Sequence, residues 1–416
     1  MGQSIKNIKI KYYLINAVYQ LSLALFSALF YVYLEKQGFS YLEINFYYVL
    51  FWIVGLLTEI PAGALSDYFG RKNSLIISII VRSIGLFFLF WSSNTFYLFS
   101  SAVLTAIGES FKSGTLESWA LDRIHQLKPQ FKSDKFFSID NIISNTVGLV
   151  GGFIGAQILG EYNLSLPFLL SPFILMFTGI LVSFLMEQDG HRNIAQNDKI
   201  IDSYKNTVKE IKNGFIYIKK NKYFLRLCLS LLPLQFVMTG PASQWQLYFQ
   251  NGHHNIIVGY LFVLISLSAM IGHYIAPKFS SLFKSRNRYL ILTTSVNALM
   301  VFAVIFTQIY YLSIIFFLIH VVFMSSEEVT RISYLNDEIK SNNRATVLSI
   351  FNTLEALVTI AAYIIIGYIA DKYSLSVSWA FSAIVMLVFA IPLFISLDKN
   401  QKKNYRGRFF HENRAK

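Results

Sequence analysis

Three ionisable residues lie inside long apolar runs of the chain: Arg82, Glu109 and Glu355. A charge within a run long enough to cross a bilayer is costly, and by default marks an ion path, a proton relay or a substrate counter-ion. At about 1.5 Å of helical rise per residue, Arg82 lies about 12 Å and Glu109 about 9 Å from the same membrane face. The depths agree and the runs are consecutive, so the two residues are expected to pair. Such a pair either fixes helix packing or holds a titrating Glu109 beside a switchable Arg82. Glu355 lies about 16 Å into its run, near the midplane, with no basic neighbour in sequence. A carboxylate so placed can carry a proton, can pair with a cationic substrate, or can be satisfied by Asn, Ser or Arg82 from another helix.

No constellation for covalent chemistry accompanies these charges. The chain has no His-Glu-x-x-His, no Gly-x-Ser-x-Gly and no Cys–His arrangement. It also lacks a Gly-x-x-x-x-Gly-Lys-Ser/Thr loop, which disfavours a nucleotide-driven pump. The single cysteine, Cys228, permits neither an internal disulfide nor a cysteine-based metal site. The expectation is a protein that is not an enzyme and uses no cofactor or metal.

Composition says what must hold the charges in place. Of 416 residues, 54% are hydrophobic and 14% charged, whereas soluble domains are about a quarter charged. The chain is therefore expected to lie in lipid. Its 38 Phe and 25 Tyr suit lipid-facing surfaces and interfacial belts. Apolar runs of roughly 20 residues predict twelve helical spans, at 12–34, 43–65, 74–92, 95–118, 137–160, 166–186, 223–249, 256–279, 289–307, 309–332, 345–369 and 374–397. The first run is long enough to span and has no small-residue cleavage site after a short core, so it is not expected to be a removable signal. All Lys and Arg except Lys36, Lys372, Arg82 and Lys112 fall in connections on one side. The positive-inside rule puts that side, with both termini, in the cytoplasm of a cell membrane. The net charge of +13 is thereby matched to an anionic leaflet, and nucleic acid is not an expected partner. The abundance of Lys, Asn and Ile points to an AT-rich bacterial genome.

The spans divide into an N-terminal half, 1–186, a Lys-rich cytoplasmic linker, 187–222, a C-terminal half, 223–398, and a basic tail, 399–416. At one constant offset Ser138 meets Ser349, Ile139 meets Ile350, Asn141 meets Asn352 and Glu117 meets Glu328. Glu355 meets Ser144, so the fold itself does not require its charge. The offset argues for two parallel six-helix halves with a cavity between them near mid-membrane. Polar residues expected to line that cavity are Asn16, Tyr19, Gln20, Asn141 and Asn352. The span "LPLQFVMTGPASQWQLYFQ" adds Gln235, Gln244, Trp245 and Gln246. Pro233, Gly240 and Pro241 break that span, and the freed backbone groups must face a cavity or protein.

Residues 59–75 read "EIPAGALSDYFGRKNSL", a Gly-x-x-x-Asp-x-x-Gly-Arg-Lys pattern at Gly63, Asp67, Gly70, Arg71 and Lys72. It lies in the cytoplasmic connection of spans two and three. Gly63 suits close helix approach, Gly70 a turn with positive φ, and Asp67 a helix end or a basic partner. The pattern and its position resemble the signature of the major facilitator superfamily, and the twelve spans in a 6+6 split resemble that family along the whole chain. The resemblance implies an all-α integral membrane fold and a cytoplasmic latch that closes in the outward-open state. Asp122 and Arg344 belong to the same expected gate. The matching connection, "YIAPKFSSLFKSRNR" at 274–288, lacks the Asp, so the latch would be asymmetric. "LTAIGESFKSGTLESWALD" (104–122) and "RATVLSIFN" (344–352) resemble a bacterial efflux-like branch. "GLVGGFIGAQILG" (148–160) carries the glycines of drug antiporters but not their Pro, and also reads simply as packing glycines.

Among the remaining charges, Lys112 is expected to pair with Glu109 or to snorkel. Glu327, Glu328 and Arg331 read as gate charges near the inner ends, and His273 as structural. The reading is a monomeric secondary transporter exporting a small amphipathic molecule against protons. Uptake of a sugar or other nutrient, and a non-transporting receptor, are the alternatives.

Overall fold

The computed structural model describes residues 4–188, 222–250, 257–339 and 344–399, apart from the side chains of Asp67, Ile257 and residues 344–346. The expected linker and tail lie almost wholly outside the described residues. Every regular element among those residues is helical. In lipid no water satisfies a free backbone group, and a helix pairs its own. Contacts divide the chain into two units, residues 1–204 with 246–263 and residues 205–245 with 264–416.

The first unit opens with α1 (Ile5–Ser27), whose N-terminal Asn7 amide is capped by the Ser4 hydroxyl. It bends by 46° into α2 (Phe30–Lys36). Next come α3 (Tyr41–Phe69), begun by a reciprocal Ser40–Glu43 capping box, and α4 (Arg71–Phe90). Gly70 separates them at φ +79°, a value that L side chains resist. The unit continues with α5 (Thr95–Lys112), α6 (Thr115–Leu127), α7 (Asp134–Phe153) and α8 (Leu166–Leu185). The second unit holds α9 (Lys222–Leu231), α10 (Leu234–Thr239) and the start of α11 (Pro241–Gln250). It also holds most of α12 (Ile257–Ser281), then α13 (Arg286–Phe306), α14 (Tyr310–Glu338), α15 (Arg344–Lys372) and α16 (Leu375–Val385).

Among the described residues, ten helices are long and apolar enough to cross a membrane, and the bent pair α1–α2 makes an eleventh. The expected span 95–118 is the exception. It ends early at Lys112, because Gly114 turns left-handed at φ +67° and α6 starts anew at Thr115. Glu109 and Lys112, with several Ser and Thr, also make α5 less apolar than a plain membrane span.

Apolar burial does not by itself draw helices together in lipid, so close packing at small residues and polar contacts must do so. In the first unit α4 lies against α5 at Gly108, where an added Cβ would come within 2.7 Å of the Arg82 Cβ. The glycines at the end of α7 and just beyond it work the same way against α1. A Cβ on Gly151 would meet that of Ala24 at 2.9 Å, and one on Gly155 would overlap the Leu25 carbonyl. A Cβ on Gly148 would meet nothing within 4 Å. The helix widens to π geometry at Ile154–Leu159, a stretch that includes Gly155.

The break between α1 and α2 has its own partner. Gln246 lies in the segment 246–263 that groups with the first unit. Its amide nitrogen donates to the Ser27 carbonyl at 3.0 Å and its amide oxygen accepts from the Tyr31 N–H at 3.1 Å. One buried side chain thus satisfies two backbone groups that the bend frees.

Candidate functional site

Two polar clusters are built from the expected residues, one in each unit. In the first, the close α4–α5 approach brings Arg82 onto Glu109 in an ion pair. The guanidinium also donates to the Tyr19 hydroxyl at 2.5 Å, and that hydroxyl lies 3.4 Å from the Glu109 carboxylate. Arg82 is buried; the Glu109 side chain is about two-fifths exposed. Lys112 lies over the Tyr19 ring at 5.5 Å and pairs with Glu117 at 3.4 Å. Its expected pairing with Glu109 is not made, since Arg82 takes that carboxylate.

Beside this cluster, Asn16 is buried and donates to Asp140 at 2.7 Å and to Ser144 at 3.2 Å. Tyr12 donates to the other Asp140 oxygen at 3.0 Å. Asp140 is therefore the residue of the "SIDN" stretch that helix α1 holds, while its neighbour Asn141 is exposed. Gln20 is half-buried, one position beyond Tyr19. Asp140 escaped the sequence reading because it lies close to the expected start of its span, where a carboxylate reads as interfacial.

At the connection of α3 and α4, Arg71 reaches Asp122 on α6 at 2.7 Å. Lys72 donates to the Ser183 carbonyl at the end of α8, at 2.6 Å. Gly70 has the positive φ expected of it. Gly63 does not make the close helix approach expected there, since a Cβ at that position would have nothing within 4 Å. The side chains of Asp67 and Arg344 lie outside the described residues.

In the second unit the break foreseen at Pro233 is present, and α9 stops at Leu231 while α10 starts at Leu234. Gln235, in the first turn after the break, donates to the Glu355 carboxylate at 2.7 Å. Its amide oxygen accepts from Thr359 at 3.0 Å. Thr359 lies one turn beyond Glu355 on α15, so Gln235 spans two successive turns of that helix. Glu355 is half-buried, and no Lys, Arg or His among the described residues forms an ion pair with it. Asn352 is exposed. Beyond the second break, at Gly240 and Pro241, Gln244 is fully buried and neither of its amide atoms has a partner among the described residues. Trp245 beside it is buried.

A third cluster was not foreseen as such. Glu327 and Arg331, read from sequence as inner-end gate charges, are a buried i,i+4 ion pair on α14, 0% and 4% exposed. Glu327 also accepts from Thr294 at 2.5 Å and from Asn297 at 3.2 Å. Asn297 in turn meets the Nδ1 of buried His320 at 2.6 Å. The signal was there in the spacing, since 320, 327 and 331 fall on one helical face. His273 lies 3.9 Å from Glu328.

The family model described as Major Facilitator Superfamily matches residues 12–362 and 238–412 of this chain. The MFS-type transporter YxaM of Bacillus subtilis (strain 168) is 22% identical over 381 residues, which are 91% of this chain and 93% of that protein. The class B tetracycline resistance protein of Escherichia coli is 25% identical over 222 residues, 52% of each chain. Among solved structures, the nucleoside transporter NupG superposes with a TM-score of 0.68 at 14% identity, covering 95% of this chain and 99% of that one. At that identity the likeness speaks for the fold.

Proposed function

The chain belongs to the Major Facilitator Superfamily and is a multi-pass membrane transporter, and we propose that it exports a small amphipathic molecule in exchange for protons, with Glu355 as the proton-carrying group. The observation that carries this reading is the Glu355–Gln235 contact at the break of the seventh span. An ionised carboxylate in a span needs compensation. Arg82 gives Glu109 that compensation through a full ion pair, whereas Glu355 has one amide N–H and no ion-pair partner among the described residues. Of the two, Glu355 changes charge at the smaller cost, because no counter-ion is left behind when it is protonated.

The break matters to the exchange. A helix interrupted at Pro233 can move its two parts separately, and Gln235 lies in the first turn of the second part. Movement of α10 therefore makes or breaks the contact that holds the carboxylate in its charged form. That links the protonation of Glu355 to the conformation of the transporter, as proton-coupled alternating access requires. Export is supported by the tetracycline-resistance relative and by the efflux-like patterns at 104–122 and 344–352. We place the transporter in the cell membrane with both termini in the cytoplasm, on the distribution of Lys and Arg. Arg71 and Asp122, joined at 2.7 Å, then form part of a cytoplasmic latch.

The test uses purified protein in vesicles with an imposed pH gradient and ethidium as the amphipathic probe. The wild type moves ethidium when the gradient is present, and Glu355→Gln inserts normally but does not respond to it. Uptake of a nutrient is the second reading. Gln244, buried and without a partner among the described residues, favours it, because a sugar hydroxyl can satisfy both ends of that amide.

A further inference from the structure

The buried Arg331 does more than neutralise Glu327. Its Nε and one terminal nitrogen hold the Glu327 carboxylate. Its other terminal nitrogen is aimed away from that carboxylate and donates to the backbone carbonyls of Leu231 and, at 3.4 Å, of Ser230. These are the last carbonyls of α9. Their ordinary partners would be the N–H groups four residues on, but Pro233 ends the helix there. The Gln235 N–H, which an unbroken helix would give to Leu231, turns instead to the Leu232 carbonyl at 3.1 Å. A guanidinium from another helix thus caps the end of α9, where a cation also suits the negative pole of the helix.

Glu327 is fixed by Thr294 and Asn297, and Asn297 by His320, so Arg331 is held from behind. In front of it the chain restarts at Leu234, and Gln235 reaches Glu355. We propose that Arg331 is a positioning residue: it fixes the α9–α10 break in the geometry that aims Gln235 at Glu355. The inference rests on the reading of Glu355 as the proton carrier. Arg331 does not form an ion pair with Glu355; it acts on it through the backbone of the break and Gln235. The charges on α14 near enough to act on Glu355 through space are Glu328, which faces His273, and Arg331 itself.

The experiment reads the carboxyl itself, so it needs no transported substrate. Dicyclohexylcarbodiimide modifies protonated carboxyl groups within membranes, and the pH profile of Glu355 modification is followed by mass spectrometry of the purified full chain. Gln235→Ala removes the N–H that holds the ionised form, and modification at neutral pH rises about tenfold. Arg331→Gln raises it by a similar factor, the double variant by no more than either single one, and Arg331→Lys restores most of the wild-type profile. Because Arg331→Gln leaves Glu327 unpaired and can fail to fold, Glu327→Gln with Arg331→Gln is read in parallel and behaves the same way.

Cys228, buried one turn before the break, gives a second readout. Maleimide labelling of this single thiol speeds up in the Arg331 variants at temperatures where the protein stays folded. Factors that multiply in the Arg331/Gln235 double variant would mean that Arg331 acts on Glu355 directly by charge, and would overturn the proposal. So would a wild-type profile in Arg331→Gln. If instead Glu355→Gln keeps its response to a pH gradient, the proton-carrier reading fails, while the modification cycle still reports on Arg331.

Discussion

Gln246 bridges the bend of the first span, donating to the Ser27 carbonyl and accepting from the Tyr31 N–H at 3.0 and 3.1 Å. The bend of 46° frees backbone groups that lipid cannot satisfy. Gln246→Ala removes both partners at once. Each buried group left without a partner costs about 1–3 kcal/mol. The expected result is faster hydrogen exchange at the Tyr31 amide, with exchange in the middle of α4 unchanged.

The Arg82–Glu109 pair predicts an asymmetry between single and double variants. Arg82→Gln strands Glu109 in a span, and with Glu109 partly exposed the loss is about 1–3 kcal/mol, short of the full value for a wholly buried pair. Arg82→Gln with Glu109→Gln strands nothing and should recover at least half of the loss. Tyr19→Phe removes the hydroxyl that both groups share and should cost about 1 kcal/mol. Thermal unfolding in detergent orders the variants.

Gly148, on α7, and Gly155, in the π segment that follows it, lie about two helical turns apart but differ in what surrounds them. A Cβ on Gly155 overlaps the Leu25 carbonyl, which is backbone and cannot swing aside, while one on Gly148 enters open space. Gly155→Ala is expected to lose about 1–3 kcal/mol by overpacking. Gly148→Ala is expected to be neutral or slightly stabilising, since alanine favours the helix by up to about 1 kcal/mol. Folded yield and thermal midpoint separate the two.

Arg71 and Asp122 are partly exposed, so their ion pair contributes at most about 1 kcal/mol to stability. As a latch, however, it shifts a conformational equilibrium by about fivefold for the same energy. Asp122→Arg should slow transport by about that factor without lowering the thermal midpoint much. Exchanging the charges, Arg71→Asp with Asp122→Arg, should restore most of the rate; no recovery in the exchanged pair would remove the latch.

How legible this molecule was depended on whether a feature is local. The apolar runs, the break at Pro233 and the turn at Gly70 follow from single residues that lipid or backbone sterics constrain, and they are where the sequence puts them. The Arg82–Glu109 pair was reachable because depth along consecutive helices is simple arithmetic. The early end of the fourth span was not, because Gly114 has the same composition whether it continues a helix or turns left-handed. Gln235 was seen as a cavity residue and not as the partner of Glu355, since nothing in sequence says which faces of α10 and α15 meet. The cap that Arg331 places on α9 joins residues about a hundred positions apart, and no spacing rule reaches that far.

The account turns on Glu355 carrying the proton, and the most direct measurement is proton movement itself. With the protein in vesicles containing a pH-sensitive dye, addition of a transported substrate should release or take up protons in the wild type. In Glu355→Gln the substrate should still bind and exchange across the membrane at equal pH, with no proton signal and no accumulation driven by a gradient. A full proton signal from Glu355→Gln, at the wild-type ratio to substrate, would contradict the account.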